Sequence, residues 1–243
     1  MTGLQQDQMK RLVMKCMHWI LLYEFFFVFN ESVFNLIAPD LTKEFGITPS
    51  SVSLIVTIGK LFFGIAAILF TALSDVISIR KLLLFTCFAF PFVTFIGFFS
   101  EHSFTLLVVF RALFAITIAS PVALVLVLAI KYFDKLTAAK YFGYTAAIYQ
   151  LGTAAGNFMG GYIADYLHWN VTFLIPLLTI IGVPIIYRNL PKDEVKGGSI
   201  DYIGLGLLTV ISTLLITYLT FKMQYTFMLI CALIFIVIFA IHT

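Results

Sequence analysis

Apolar residues run through this chain in long blocks broken by short polar stretches, and the block lengths predict about eight membrane-spanning helices. Roughly 20 apolar residues suffice to cross a bilayer as a helix. A polar leader over 1–15 precedes a first span that leaves at Pro39. A loop over 40–50 leads to a second span at about 51–73, and a third covers about 82–100. The short turn 101–103 returns the chain through a fourth span, about 104–130, followed by a fifth at about 138–166 and a sixth at 171–187. A polar linker over 188–199 then precedes a seventh span, about 202–221, and an eighth, about 225–241. The fold class is all-α, a polytopic membrane helical bundle. The linker divides the chain into a six-helix bundle, residues 1–190, and a linker with a two-helix hairpin, 191–243. One bundle of all eight helices is the other arrangement this pattern allows.

The first span breaks its own pattern. Within WILLYEFFFVFNESVFNLIAP, residues 19–39, stand Glu24, Asn30, Glu31 and Asn35. An ionised carboxylate at bilayer depth costs about 2.5–3.5 kcal/mol on insertion scales, so such groups persist where they face a bundle interior or a wet cavity. Glu24 and Glu31 are seven residues apart, which at about 100° per residue returns them to nearly one helix face. Asn30 and Asn35 lie within a turn or so of Glu31. A polar stripe of this kind points to a proton or cation path. The other reading has Glu24 snorkelling at an interface, or either acid neutral and hydrogen-bonded in the packing.

Composition narrows the class. The 243 residues are 61% hydrophobic and 11% charged, against about 25% charged in soluble domains, which excludes a water-soluble fold. The first apolar run continues at full spanning length without a small-residue cleavage site, so it reads as a retained span. Cys16, Cys87 and Cys231 sit in or beside apolar segments without metal-like spacing and read as small buried hydrophobes. His18, His102, His168 and His242 are scattered, and no Ser/His/Asp or metal-ligand set shares a face. The expectation is therefore no enzyme, no cofactor and no metal. Orientation follows from the positive-inside rule. Of the 15 Lys and Arg residues, eleven fall on the side of the N-terminus, two (Lys43 and Lys222) on the other, and Lys60 and Arg111 lie in or at the edge of spans. Both termini are then cytoplasmic, in a multi-pass plasma-membrane protein. The net charge of +3 is accounted for by topology and gives no support for nucleic-acid binding.

Several constellations carry further information. The loop TALSDVISIRKLLL, 71–84, sets Asp75 near a helix end and Arg80 with Lys81 at the start of the next helix. This is an acid and a basic pair able to bridge neighbouring helices, or a solvated loop obeying the charge rule. In the fifth span Gly152, Gly156, Gly160 and Gly161 recur at helical spacing, which lets two backbones approach closely. Arg111 in the fourth span stays charged and needs an acid partner or water, unless it snorkels from a position near the span end. Lys60 in the second span either neutralises Glu31 or Glu24 or is a local peculiarity.

These stretches resemble the signatures of the major facilitator superfamily. The 71–84 loop is similar to the Gly-x-Leu-x-Asp signature followed by basic residues: Leu73, Asp75, Arg80 and Lys81 match, whereas Thr71, Ser78 and Ile79 depart from it. The glycines of 152–161 are similar to the antiporter motif Gly-x-x-x-Gly-Pro-x-x-Gly-Gly, with Asn157 in place of the proline. Arg111 occupies the position of a family arginine linked to proton transfer, with Phe114 and Ala115 in place of the usual Gln-Gly. Residues 30–39 resemble the first-helix pattern of fourteen-helix drug–proton antiporters. A Glu following an Asn there resembles the tetracycline–metal/proton antiporters, and 201–204 with the following spans resembles that branch's central hairpin. The resemblance implies proton-coupled export of a small amphipathic or cationic drug such as tetracycline. It implies a charge relay at Asp75, Arg80 and Lys81, helix packing through Gly152, Gly156, Asn157, Gly160 and Gly161, and proton or substrate binding at Glu31. Asn30, Asn35, Arg111, Gln150 and Glu24 join Glu31 there, with Tyr144 and Tyr149 as aromatic walls of a cavity lined by spans one, two, four and five. It also implies that the chain corresponds to an N-terminal half plus hairpin with the C-terminal six-helix half absent. The expected partners are then the lipid bilayer, protons, a small-molecule substrate, and a homodimer mate or separate C-terminal half. The alternatives are a transport-incompetent remnant and a membrane interaction protein.

Overall fold

A computed structural model describes residues 3–192, 201–220 and 226–242, and these are helical nearly throughout, with no strand among them. The helices are α1 (Gly3–Leu36), α2 (Ala38–Phe45), α3 (Pro49–Leu73), α4 (Ile79–Gly97), α5 (Phe104–Tyr132), α6 (Lys135–Tyr166), α7 (Gly182–Asn189), α8 (Tyr202–Thr220) and α9 (Thr226–His242). A 3₁₀ turn, Phe98–His102, extends α4, and two more, Trp169–Phe173 and Ile175–Ile181, lead into α7. Among the described residues, five stretches are long and apolar enough to cross a membrane: Asp7–Leu36, Pro49–Leu73, Ile79–His102, Phe104–Tyr132 and Trp169–Asn189. α6 has the length, but its glycines, threonines and tyrosines lower its hydropathy, and α8 and α9 are shorter apolar helices. Most of the linker, Lys196 and Lys222 lie outside the described residues.

Two boundaries differ from the sequence expectation. The leader over 1–15 is helical from Gly3, and Val13 on it is buried, because no breaker separates it from the apolar run. The loop over 40–50 holds α2, which starts with Pro39 in its first turn and ends on Gly46 at φ 60°, a left-handed position that suits glycine.

Hydrocarbon offers no hydrogen bonds, so each span must satisfy its own polar groups. The hydroxyls do this locally: Thr86 donates to the Leu82 carbonyl at 2.9 Å, Thr117 to Leu113 at 3.0 Å and Thr209 to Leu205 at 2.9 Å. Outside the spans two aspartates cap helix starts. Asp134 accepts from the Thr137 hydroxyl at 2.8 Å and from the Leu136 and Thr137 backbone at the start of α6. Those bonds, the hydroxyl's first, hold its carboxyl below the ordinary range. Asp201 accepts from the Gly204 backbone at 2.8 Å and meets His242 at 3.0 Å, which ties the two ends of the α8–α9 hairpin.

The core lies around α1 and α5. α1 packs on α6, α5 and α7, while α3 packs on α5 and α8. Cys16, Cys87, Phe90, Phe110, Phe114 and Phe173 are buried in this core, Cys231 is half-buried, and all three cysteines are free. Close approach of α6 to α1 rests on glycine: a Cβ at Gly156 would stand 2.5 Å from the Phe29 carbonyl, and one at Gly152 3.0 Å from that of Phe25. At Gly160 a Cβ would meet Leu36 at 2.8 Å, whereas Gly161 faces open space. At the end that carries α2, Trp169 donates to Glu44, Asn170 donates to Glu101, and His168 lies 3.5 Å from Glu44 and 3.6 Å from Glu101. At the other end, Arg80 donates to the Tyr187 and Leu190 carbonyls at 2.6 Å each, closing the C-terminus of α7.

Gly156→Ala forces a methyl into backbone and is expected to destabilise by about 1–3 kcal/mol, the usual range for overpacking. Gly161→Ala is expected to leave the unfolding temperature unchanged or slightly raised. Thermal unfolding of the detergent-solubilised protein checks the pair.

Candidate functional site

Arg111 stands two turns into α5 with its side chain fully buried (0% exposed). A guanidinium cannot shed its charge in a protein, so burial calls for a counter-ion. Glu31 of α1 supplies it, accepting from Arg111 Nη2 through Oε1. Arg111 Nη1 donates to Asn30 Oδ1 at 3.3 Å, and the Asn30 amide nitrogen donates to the Thr172 carbonyl at 3.2 Å. The Phe34 ring centre lies 4.3 Å from the guanidinium carbon and that of Phe114 5.7 Å, so aromatic faces cover the charge where carboxylate does not. On the α3 side Gly59 leaves the space; a Cβ there would stand 3.3 Å from Nη2. Arg111 therefore does not snorkel. Asn30, expected in a cavity wall, is itself buried and acts as a strut between α1, Arg111 and the 169–173 turn.

The second oxygen of Glu31, Oε2, is buried and has no hydrogen-bond partner among the described residues. The Glu31 side chain is 15% exposed and forms part of the wall of a cavity of about 510 Å³ between α1, α3 and α6. Phe27, Val28, Ser32 and Asn35 line it from α1, Lys60 and Phe63 from α3, and Tyr149, Gln150, Thr153 and Asn157 from α6. The structure thus brings together Glu31, Asn35, Gln150 and Tyr149, and adds Asn157, which the sequence assigned to packing. Tyr144 is exposed elsewhere on α6. α5 reaches the cavity only through the hold of Arg111 on Glu31. A second cavity, about 690 Å³ between α2 and α3, shares Asn35 with the first and includes Lys43.

The remaining expected residues lie apart. Glu24 is buried at 6% exposure, with Oε2 unpartnered among the described residues, and does not line the cavity. Lys60 is exposed, and no ion pair joins it to Glu31 or Glu24 among the described residues; Glu31 is paired with Arg111 instead. Asp75 is exposed on a separate cavity between α3 and α8, next to Asp201, and Lys81 is exposed. Among the described residues no group of three or more His, Cys, Asp or Glu is placed to hold a metal ion.

Sequence reasoning missed the residues that house the guanidinium. Phe34 and Thr172 carried no signal. Phe114 did, since an aromatic ring stands where the resembling signature has glutamine, and Gly59 did, as a glycine beside the unexplained Lys60. The family model described as Major Facilitator Superfamily matches residues 20–200, which takes in the second half of α1 with Glu31, and Lys60, Arg111 and the whole of α6.

Arg111→Met leaves Glu31 without its counter-ion and is expected to cost about 3–5 kcal/mol, the range for breaking a buried pair from one side. Arg111→Met combined with Glu31→Gln removes both charges and is expected to recover most of that loss. A double-mutant cycle on thermal unfolding measures both.

Proposed function

The chain belongs to the Major Facilitator Superfamily, and from that premise we propose a proton-coupled secondary transporter of a small amphipathic solute, with Glu31 as the proton-binding group. The observation that carries this reading is the double position of Glu31: one oxygen neutralises buried Arg111, and the same side chain forms a wall of the solute-sized cavity. Cavities of roughly 300–1,000 Å³ hold drug-sized ligands. A proton taken up by the Glu31 carboxylate cancels its charge and with it the Coulomb hold on Arg111. At an effective dielectric of about 20, two unit charges 4 Å apart attract by about 4 kcal/mol, so loss of that term is large enough to change how α1 and α5 sit against each other. Glu31 and Arg111 then form the bistable element that alternating access requires.

The resemblance to drug–proton antiporters supports a drug-like solute and a plasma-membrane setting. The eleven-to-two distribution of basic residues supports cytoplasmic termini. In that orientation the α2 end, with Lys43 and Glu44, faces outward. Asp75, Arg80 and Lys81 face the cytoplasm, where the Arg80 contacts to the end of α7 fit a part in positioning that face during the switch.

Proteoliposomes holding a pH gradient report the coupling directly. Addition of amphipathic fluorescent solutes of either charge is expected to dissipate the gradient in wild type, followed with an interior pH dye. Glu31→Gln should lower that rate at least about a hundredfold while inserting normally, the size of effect assigned to a lost proton-transfer group. Equal rates for Glu31→Gln and wild type would remove the proton role from this residue.

A further inference from the structure

We infer that the solute taken by the cavity is an aromatic organic anion, held by Lys60, and that it binds together with the proton. The inference deepens the transport reading and rests on it for the cavity's role, but its own carrier is the charge count around that cavity. The charged and titratable groups around Glu31 are Arg111 from α5, Lys60 from α3 and Tyr149 from α6, with Glu24 seven residues away on α1. Glu31 is the one acid in the lining, and its charge is matched by Arg111 at hydrogen-bond contact. Lys60 is exposed to the cavity and has no ion pair or hydrogen bond among the described residues. The site therefore carries one positive charge in excess.

The approach has the same sign. The adjoining cavity, reached past Asn35, has Lys43 as its charged wall residue, while the neighbouring acid Glu44 is turned to Trp169 and His168. A cleft lined by one sign of charge concentrates ligands of the other. A cationic cargo, which the first-helix resemblance implies, would find no unmatched acid: Glu24 does not line the cavity and Asp75 lies on a different one. The apolar part of the site is aromatic. The Phe27 and Phe63 rings stack at 4.8 Å with 13° between their planes, and Tyr149 stands across from them on α6. Such walls suit a flat ring system, and it is Lys60 alone that calls for an anionic group on it.

The sign of the coupling follows. A proton on Glu31 removes the one acidic charge in the cavity lining among the described residues and leaves Arg111 free to attract, so the cavity becomes more positive as it is protonated. Anion and proton then favour each other's binding, whereas a cation and a proton would compete.

Equilibrium dialysis of the 243-residue chain in detergent tests this with two flat probes of fixed charge, naphthalene-2-sulfonate and N-methylquinolinium. The sulfonate is expected to bind about tenfold or more tightly than the quinolinium, a preference of about 1.4 kcal/mol. Lys60→Gln should lose about that factor for the sulfonate and Lys60→Arg should keep the wild-type affinity, which separates loss of charge from misfolding. Lowering the pH should tighten sulfonate binding in wild type and leave it unchanged in Glu31→Gln. Tighter quinolinium binding, absence of sulfonate binding, or a Lys60→Gln variant with wild-type sulfonate affinity would overturn the inference. Sulfonate binding as expected, without solute-driven proton flux in proteoliposomes, would sink the transport reading and leave this one standing. Proton flux driven by the quinolinium alone would do the reverse.

Discussion

A guanidinium with no exposed surface in an apolar bundle is the constraint from which the rest of this structure follows. Arg111 cannot become neutral, and its arrangement shows how many groups are needed to keep it: Glu31 and Asn30 on α1, the faces of Phe34 and Phe114, and a glycine on α3 that lets the backbone come close. These groups belong to three different helices. Their mutual register is therefore fixed by one charge, since a shift of α1 by a single residue would carry Glu31 about 100° round the helix and leave both ions unpaired. Apolar packing alone is less exacting, because neighbouring Phe, Leu and Ile side chains exchange roles at little cost.

The cavity is the complement of that packing. Gly152, Gly156 and Gly160 draw α6 against α1 along a line, and α3 is held on α5. Nothing of comparable closeness draws α3 towards α6. The gap left between them is where Lys60, Phe63, Tyr149 and Gln150 project. The same stripe of small residues that explains the helix contact therefore explains the site, and Asn157 sits in that stripe facing the open side. Because a proline at that position would lack a side-chain donor, the asparagine changes the chemistry of the wall as well as the shape of the helix.

The sequence exposed the helical class and most of the spans because hydrocarbon leaves a chain little choice: long apolar runs must be helices. It exposed Glu31 and Arg111 as separate oddities for the same reason, since a charge in such a run is costly. It did not reveal that they are each other's partners, because residues 80 positions apart acquire adjacency only from the packing of α1 on α5. Asn30 was legible as polar but not as a strut, since its direction depends on a carbonyl of the 169–173 turn. Lys60 was the residue that fitted no pattern. Its meaning depends on a subtraction that sequence cannot perform: whether the nearby acid is already spent on another base. The helical start at Gly3 and the short helix Ala38–Phe45 are harder to read for a simpler reason, since polar composition looks like loop although nothing stops the helix before residue 15 and Pro39 opens a new one after the bend at Ile37.

That subtraction also decides what kind of coupling the fold can support. In a site where an acid stands alone, a proton and a cationic cargo occupy one charge in turn, and exchange follows from competition. Here the acid is held by a permanent cation, so on the proposed reading protonation would not empty a site; it would release a second positive group beside Lys60. The energy of the event is divided between rearranging α1 against α5 and raising the potential of the cavity. A ligand can shift a conformational equilibrium only by its differential affinity for the two states. An anion that meets Lys60 alone in one state, and Lys60 with a freed Arg111 in the other, has such a difference built in. On the proposed reading, the pairing that makes the charge tolerable in the bundle would also make it responsive to both ligands.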